Sequence, residues 1–324
     1  MHTDNKLSGW IAFTNYEGVC SFWNLEDTGS LVGHIQTGSG PLVKSPPLSY
    51  SICSWMEPGK NFLAIELEHT PKRGTVVGHI VVLDVQGNVI ERIVNNKLGT
   101  IAGSSFPSTK NKRIVYTYKI YKEIVSPNEK RSEKEILSDV WKEPSSLVVI
   151  DYKTRKEEIH INDFSKGGSL YLREFPWSPD EKKFVYTILK NIQVSLKGQP
   201  LNSEDDSIST AGSYIFDVEK AKDVKFIPGS VYAVFHPVSN KVAYIKNNEV
   251  WIYDLDADSS HILYSSKHKT DIMDIRWSPK GDYIYVRHHV DKSRKSKQLL
   301  IKADGGKVMP NITFPVYIHH YTWR

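Results

Sequence analysis

Trp177-Ser178-Pro179-Asp180-Glu181-Lys182-Lys183-Phe184-Val185-Tyr186-Thr187 returns further along the chain as Trp277-Ser278-Pro279-Lys280-Gly281-Asp282-Tyr283-Ile284-Tyr285-Val286. Looser copies begin at Trp55-Met56-Glu57-Pro58-Gly59, Phe106-Pro107-Ser108-Thr109 and Phe235-His236-Pro237-Val238-Ser239. In each, an alternating run ends on an aromatic, turn residues reverse the chain, and a β-branched or aromatic run follows, which is the pattern of a β-hairpin. A second anchor lies downstream, where an apolar run ends in Asp: Val81-Val82-Leu83-Asp84, Val148-Val149-Ile150-Asp151, Tyr214-Ile215-Phe216-Asp217 and Trp251-Ile252-Tyr253-Asp254. Ser21-Phe22-Trp23-Asn24 and Leu299-Leu300-Ile301-Lys302 hold the same place with Asn and Lys. Another strand follows each anchor, as in Val89-Ile90-Glu91-Arg92-Ile93 after Gly87-Asn88. Each repeat therefore supplies four strands.

Four-stranded antiparallel sheets repeated along a chain bury both faces by stacking on their neighbours, which is the logic of propeller blades. Val316-Tyr317-Ile318-His319-His320-Tyr321-Thr322-Trp323 reads as a first strand cut at its aromatic anchor, and Gly9-Trp10-Ile11-Ala12-Phe13-Thr14 as the strand that should follow it. The expectation is an all-β, six-bladed propeller filling residues 1–324 as one domain, closed by the C-terminal strand joining the N-terminal blade. The expected blades are 9–48 plus 315–324, 49–98, 99–168, 169–228, 229–269 and 270–314. The Trp-Ser-Pro-Asp and Trp-Ser-Pro-Lys-Gly-Asp phrases resemble the repeats of the TolB-like six-bladed propeller family. That resemblance implies a fold whose members serve as binding modules, scaffolds and occasionally enzymes. Full TolB proteins carry a preceding α/β domain, for which this sequence shows no counterpart.

A net charge of +5 over 42 basic and 37 acidic residues is too small an excess to point to nucleic acid. No apolar run is long enough for a membrane-spanning helix. Met1-His2-Thr3-Asp4-Asn5-Lys6 lacks the apolar core of a signal peptide, so the expected place is cytoplasmic, or extracytoplasmic after removal of a signal; the latter is the reading adopted. Cys20 and Cys53 sit in strand-like apolar contexts and read as unpaired, structural thiols. The spacing between repeats is steady, whereas the connection between second and third strands is elaborated at residues 68–78, 119–146, 190–212 and 288–297. Insertions that fall on one face of a repeat fold mark the expected binding face. Ser132 and Glu135 at capping-box spacing predict a short helix reaching Trp141, with Ile136, Leu137, Val140 and Trp141 on one apolar face. Residues 201–212 read as a polar loop.

The first strands of the repeats carry an odd polar set, expected to border a central channel: Arg173, Glu174, Tyr232, Asp271, Asp274, Arg276, His319 and His320. These are the candidate ligand-binding residues, with arginine–carboxylate pairing in a narrow wet passage as the plainer account. His288-His289 and His319-His320 are adjacent on strands, so at most one of each pair faces a common site, and no metal or other cofactor is expected. Asp254-Leu255-Asp256-Ala257-Asp258 imitates a calcium loop but has Ser259 where Gly is needed, and reads as a hairpin turn. Nucleophile-elbow, Cys-x-x-Cys, His-Glu-x-x-His and P-loop patterns are missing. Lys292-Ser293-Arg294-Lys295-Ser296-Lys297 is a basic hairpin tip. The functional expectation is a non-catalytic, monomeric propeller that binds a protein, peptide or glycan. The alternative is a metal-assisted lyase or hydrolase of acidic saccharides.

Overall fold

The computed structural model describes residues 10–14, 19–24, 30–36, 48–69, 76–94, 100–108, 110–120, 146–161, 168–190, 212–266, 272–290, 295–309 and 320–323. All secondary structure among them is β or turn, and the expected helix over Ser132–Trp141 lies outside them. The chain divides into two compact units, Met1–His160 with Pro315–Arg324, and Ile161–Phe314.

The first unit opens with β1 (Trp10–Thr14), β2 (Val19–Asn24) and β3 (Ser30–Gln36). A second sheet holds β4 (Leu48–Glu57), β5 (Asn61–His69), β6 (Val76–Asp84), β7 (Val89–Val94), β8 (Thr100–Ser108), β9 (Arg113–Ile120), β10 (Ser146–Asp151) and β11 (Glu157–Ile161). The second unit holds β12 (Gly168–Tyr171), β13 (Lys183–Lys190), β14 (Gly212–Asp217) and β15 (Lys222–Pro228) as one sheet. Its next sheet is β16 (Val231–Phe235), β17 (Lys241–Lys246), β18 (Glu249–Asp254) and β19 (Ser259–Ser265). Its last is β20 (Ile272–Trp277), β21 (Tyr283–Val290) and β22 (Lys295–Lys302). Finally β23 (His320–Trp323) pairs antiparallel with β1, giving the order β23-β1-β2-β3, so the C-terminal strand does join the N-terminal sheet.

The expected count of six blades is wrong: among the described residues the strands form five sheets. The physical reason lies in β6. Its start joins β8 in parallel through Gly78↔Ile101, while its later part pairs with β7, so residues expected as two blades share one eight-stranded sheet. The last sheet has three strands, followed only by the single bridge Ile301↔Val308.

The repeated phrase earns its residues at the turns. Ser178 Oγ donates to Asp180 (2.5 Å) and accepts from the Lys183 amide (3.0 Å), while the Glu181 amide bonds the Ser178 carbonyl (2.8 Å). Ser278 does the same for Tyr283 (3.0 Å), with Gly281 bonding its carbonyl (2.9 Å). The Asp anchors are Asx-turn caps: Asp84, Asp151, Asp217 and Asp254 each accept backbone N–H groups from the turn that follows. Asp254 thus caps a turn, as its spacing predicts.

Core packing in the second unit is sheet on sheet. Val185, Ile215, Ala233, Phe235, Val242 and Tyr253 fill one layer, and Val234, Ile252, Ile275, Trp277, Ile284 and Ile301 the next. Each fully buried side chain of this size contributes roughly 1.5–3 kcal/mol. Trp277 Nε1 also donates to the Val234 carbonyl (3.3 Å), and the Phe235 amide to the Phe175 carbonyl (2.8 Å), tying successive sheets at their first strands. In the first unit, Leu63, Ile80, Ile114, Val148 and Ile150 form a comparable core, and Trp55 stacks on Phe62 at 3.9 Å.

Candidate functional site

Three sites on the first strands of the second unit depart from regular β geometry. After β12 the chain passes through Leu172 and Arg173, bends at Glu174 and reaches Phe175, which sits at φ 57°. In β16 the register slips between Val231 and Val234, and Tyr232 within the slip has φ 55°. In β20 it slips between Ile272 and Asp274. Bulges re-aim side chains, and a bulky residue at positive φ is an outlier that the surroundings must enforce.

The re-aimed side chains meet. Arg276 donates from Nη1 to Glu174 Oε2 at 2.6 Å and from Nε and Nη2 to Asp274 Oδ2, both at 3.3 Å. Arg276 is 9% exposed, Glu174 is fully buried, and Asp274 is 5% exposed. Arg173 lies above the Tyr232 ring, its Cζ 4.2 Å from the centroid, with Nη1 3.8 Å from Asp274 Oδ1. Tyr232 in turn meets Tyr171 edge-on at 6.4 Å. A guanidinium over a tyrosine face gains from the ring quadrupole while its N–H edge stays available.

Burial alone would raise the Asp274 carboxyl above its usual range, but the positive charges of Arg276, Arg173 and Arg287 outweigh it and hold the group below. Asp274 therefore stays ionised at neutral pH. Burial pushes the Tyr285 phenol well above its ordinary value, and the negative Asp274 adds to that, so Tyr285 is a neutral hydroxyl. Asp274 thus stands among the positive charges of Arg276, Arg173 and Arg287, while Glu174 is bound to Arg276.

Of the sequence candidates, Arg173, Glu174, Tyr232, Asp274 and Arg276 come together here. Asp271 and His319 lie outside the described residues, and His320 is in β23 of the first unit, opposite Thr14. Glu174, Tyr232, Asp274 and His320 each stand three residues before an aromatic anchor, Trp177, Phe235, Trp277 and Trp323, so one repeat position carries four of the eight candidates. Tyr285 and Arg287 were not among the candidates. Their signal was a departure from the repeat: Arg287 on β21 holds the place of Thr187 on β13 and Ile245 on β17. Among the described residues, no three His, Cys, Asp or Glu side chains are grouped as a metal site requires.

No family model matches the chain, and no curated protein sequence matches it. Solved structures do. A putative TolB from Agrobacterium tumefaciens superposes with a TM-score of 0.54 at 13% identity, over 94% of this chain and 88% of that one. An oligogalacturonate lyase in complex with manganese superposes with a TM-score of 0.52 at 10% identity, over 93% of this chain and 73% of that one. Both are β-propellers, and the fold of this chain is accordingly an all-β propeller. At such identities the likeness concerns fold alone.

Proposed function

We propose that the chain is a non-catalytic recognition module that binds a protein, peptide or glycan, with Arg173 and the face of Tyr232 as its contact. The observation that supports this reading is the division of labour between two arginines. Arg276 is enclosed by Glu174 and Asp274, which commits both carboxylates to an ion pair and withholds them from proton transfer. Arg173, 25% exposed, is held on an aromatic face and makes no hydrogen bond among the described residues, so part of its guanidinium is open to a ligand. Recognition surfaces favour this Arg–Tyr combination, because it offers area and donors at low cost in side-chain entropy. The elaborated connections, which are part of the same reading, lie outside the described residues apart from their ends. Affinity capture from the native host tests it: a partner retained by the wild type and lost with Arg173→Ala supports the module, and a partner retained equally by both overturns this contact.

The lyase likeness supports a second reading, action on acidic saccharides. The described residues do not fit manganese, since the two carboxylates of the cluster are bound to Arg276 and no third ligand type stands with them. Release of unsaturated product from oligogalacturonate, with and without added manganese, distinguishes this reading from binding alone.

A further inference from the structure

Across the first sheet of the second unit, Tyr186 on β13, Tyr214 on β14 and Phe226 on β15 stand side by side in register. Tyr186 and Tyr214 stack with centroids 5.3 Å apart, and Tyr214 and Phe226 are 4.6 Å apart with planes tilted by 33°. The column runs from an enclosed ring, Tyr186, to a rim, Phe226, that is 42% exposed. Gly212 makes room for that rim, since a Cβ there comes within 2.2 Å of Phe226 Cε2. Asp223, exposed on the same strand as Phe226, accepts the Tyr186 hydroxyl on its two carboxylate oxygens at 3.0 and 3.1 Å, and its charge reaches Tyr214. Among the described residues no cation pairs with it: Lys225, two residues on, is turned to Asp258 and the Tyr253 ring. Burial against the rings raises the Asp223 carboxyl above its usual range, and the Tyr186 bond only opposes that rise. Tyr186 itself is a neutral donor, its phenol raised by burial and by the Asp223 charge.

We propose that Asp223 and the exposed rim of this column form a docking point for an arginine side chain of a partner protein or peptide, its guanidinium paired with the Asp223 carboxylate and laid against the Phe226 ring. This goes beyond the recognition reading above and does not depend on Arg173. A carboxylate drawn against aromatic rings and given one neutral donor gains most from a cation that meets both charge and ring. Of the two basic side chains, arginine fits better: its planar fork matches a carboxylate in a two-bond geometry, its flat face stacks on an aromatic ring, and it is more weakly hydrated than an ammonium. An anionic partner meets repulsion from Asp223. A neutral one gains the Phe226 surface alone.

The test uses the whole chain with isotope-labelled Tyr and Phe rings and three probes at constant ionic strength: N-acetyl-arginine methylamide, its neutral urea isostere N-acetyl-citrulline methylamide, and N-acetyl-lysine methylamide. Each is titrated by NMR while the Tyr214 and Phe226 ring resonances are followed. The expected result is a saturable shift with the arginine probe, a citrulline probe at least about ten-fold weaker, and a lysine probe between the two. Asp223→Asn should weaken the arginine probe at least about ten-fold, and Phe226→Leu, read at Tyr214, about two- to five-fold. An arginine probe that does not saturate overturns the proposal, as does a folded Asp223→Asn with unchanged affinity. A citrulline probe that binds as tightly marks an apolar contact only, and a lysine probe that binds as tightly removes the fork; either result overturns the assignment to arginine. Should Asp223→Asn fail to fold, Phe226→Leu decides, and unchanged affinity there is equally fatal.

Discussion

The first strands of the second unit and the turns that follow them satisfy their polar groups in opposite ways. At the turn end, Ser178 and Ser278 bond to backbone only a few residues away. Along the strands, Arg276 reaches Glu174 across 102 residues of sequence, and Arg173 reaches Asp274 and Tyr232 on other sheets. Local satisfaction makes a turn that any copy of the repeat can reproduce. Long-range satisfaction makes a cluster that exists only once the sheets have assembled, and there the copies are free to differ.

The largest blow to this contrast falls on the long-range end. Arg276→Ala leaves Glu174 and Asp274 as buried carboxylates without their shared cation, and the expected loss of unfolding free energy is about 3–5 kcal/mol by denaturant titration. A loss under about 1 kcal/mol shows that the cluster is stabilised by something else. At the turn end, Gly281 sits at φ 79°, and an added Cβ meets the His236 ring at 2.1 Å. Gly281→Ala is expected to cost about 1–3 kcal/mol, since strain and collision combine there. Thermal unfolding checks it.

His236 provides a smaller, pH-dependent effect. Its Nδ1 accepts from the Val238 and Ser239 amides, at 3.1 and 3.0 Å, so Nε2 carries the proton and donates to the Gly281 carbonyl at 3.2 Å. Burial lowers its pKa below 6.5, Lys241 assists, and the Gly281 carbonyl with Asp282 opposes. The folded state therefore holds the proton less well than the unfolded chain does. The stabilisation from neutral His236 is complete above about pH 6.5 and is lost as pH falls from there through the folded-state value. The turn carboxylates Asp180, Asp217 and Asp254, whose pKa values lie below 3.8, lose their contributions only in stronger acid. His236→Ser should flatten the stability profile as pH falls below about 6.5, and an unchanged slope removes His236 from the account.

The smallest effect sharpens the contrast most. Tyr232→Gly relieves a positive φ but removes the ring's packing against the core, and the two opposing effects are expected to leave stability within about 1 kcal/mol of wild type. The same substitution should weaken binding through Arg173, which loses its ring. Stability and binding moving together refutes the view that strain at Tyr232 serves recognition.

This division also explains what could be read from residue order. The hairpins, the Asp caps and the pairing of β23 with β1 were legible because each rests on a local pattern or on a copy visibly cut in two. The sheet count was not. The parallel junction of β6 with β8 hangs on Gly78↔Ile101 alone, and nothing in either strand's alternation marks a parallel neighbour. In the cluster, the polar set of Arg173, Glu174, Asp274 and Arg276 stood out against apolar first strands. Which arginine enclosed which carboxylate was hidden, because that depends on the slips in β16 and β20, and a slip leaves no mark in composition. Arg287 was readable in principle, since Thr187 and Ile245 occupy its place in the neighbouring copies.

The pairing of β1 with β23 has a consequence for the order in which this protein is made. Thr14 and His320, partners in one sheet, are separated by about 300 residues, so at ordinary synthesis rates of about 5–20 residues per second β1 waits roughly 15–60 s for its neighbour. Through that interval the edge of β1 stays open on the ribosome, an unpaired template that a nascent-chain chaperone or a neighbouring copy can occupy.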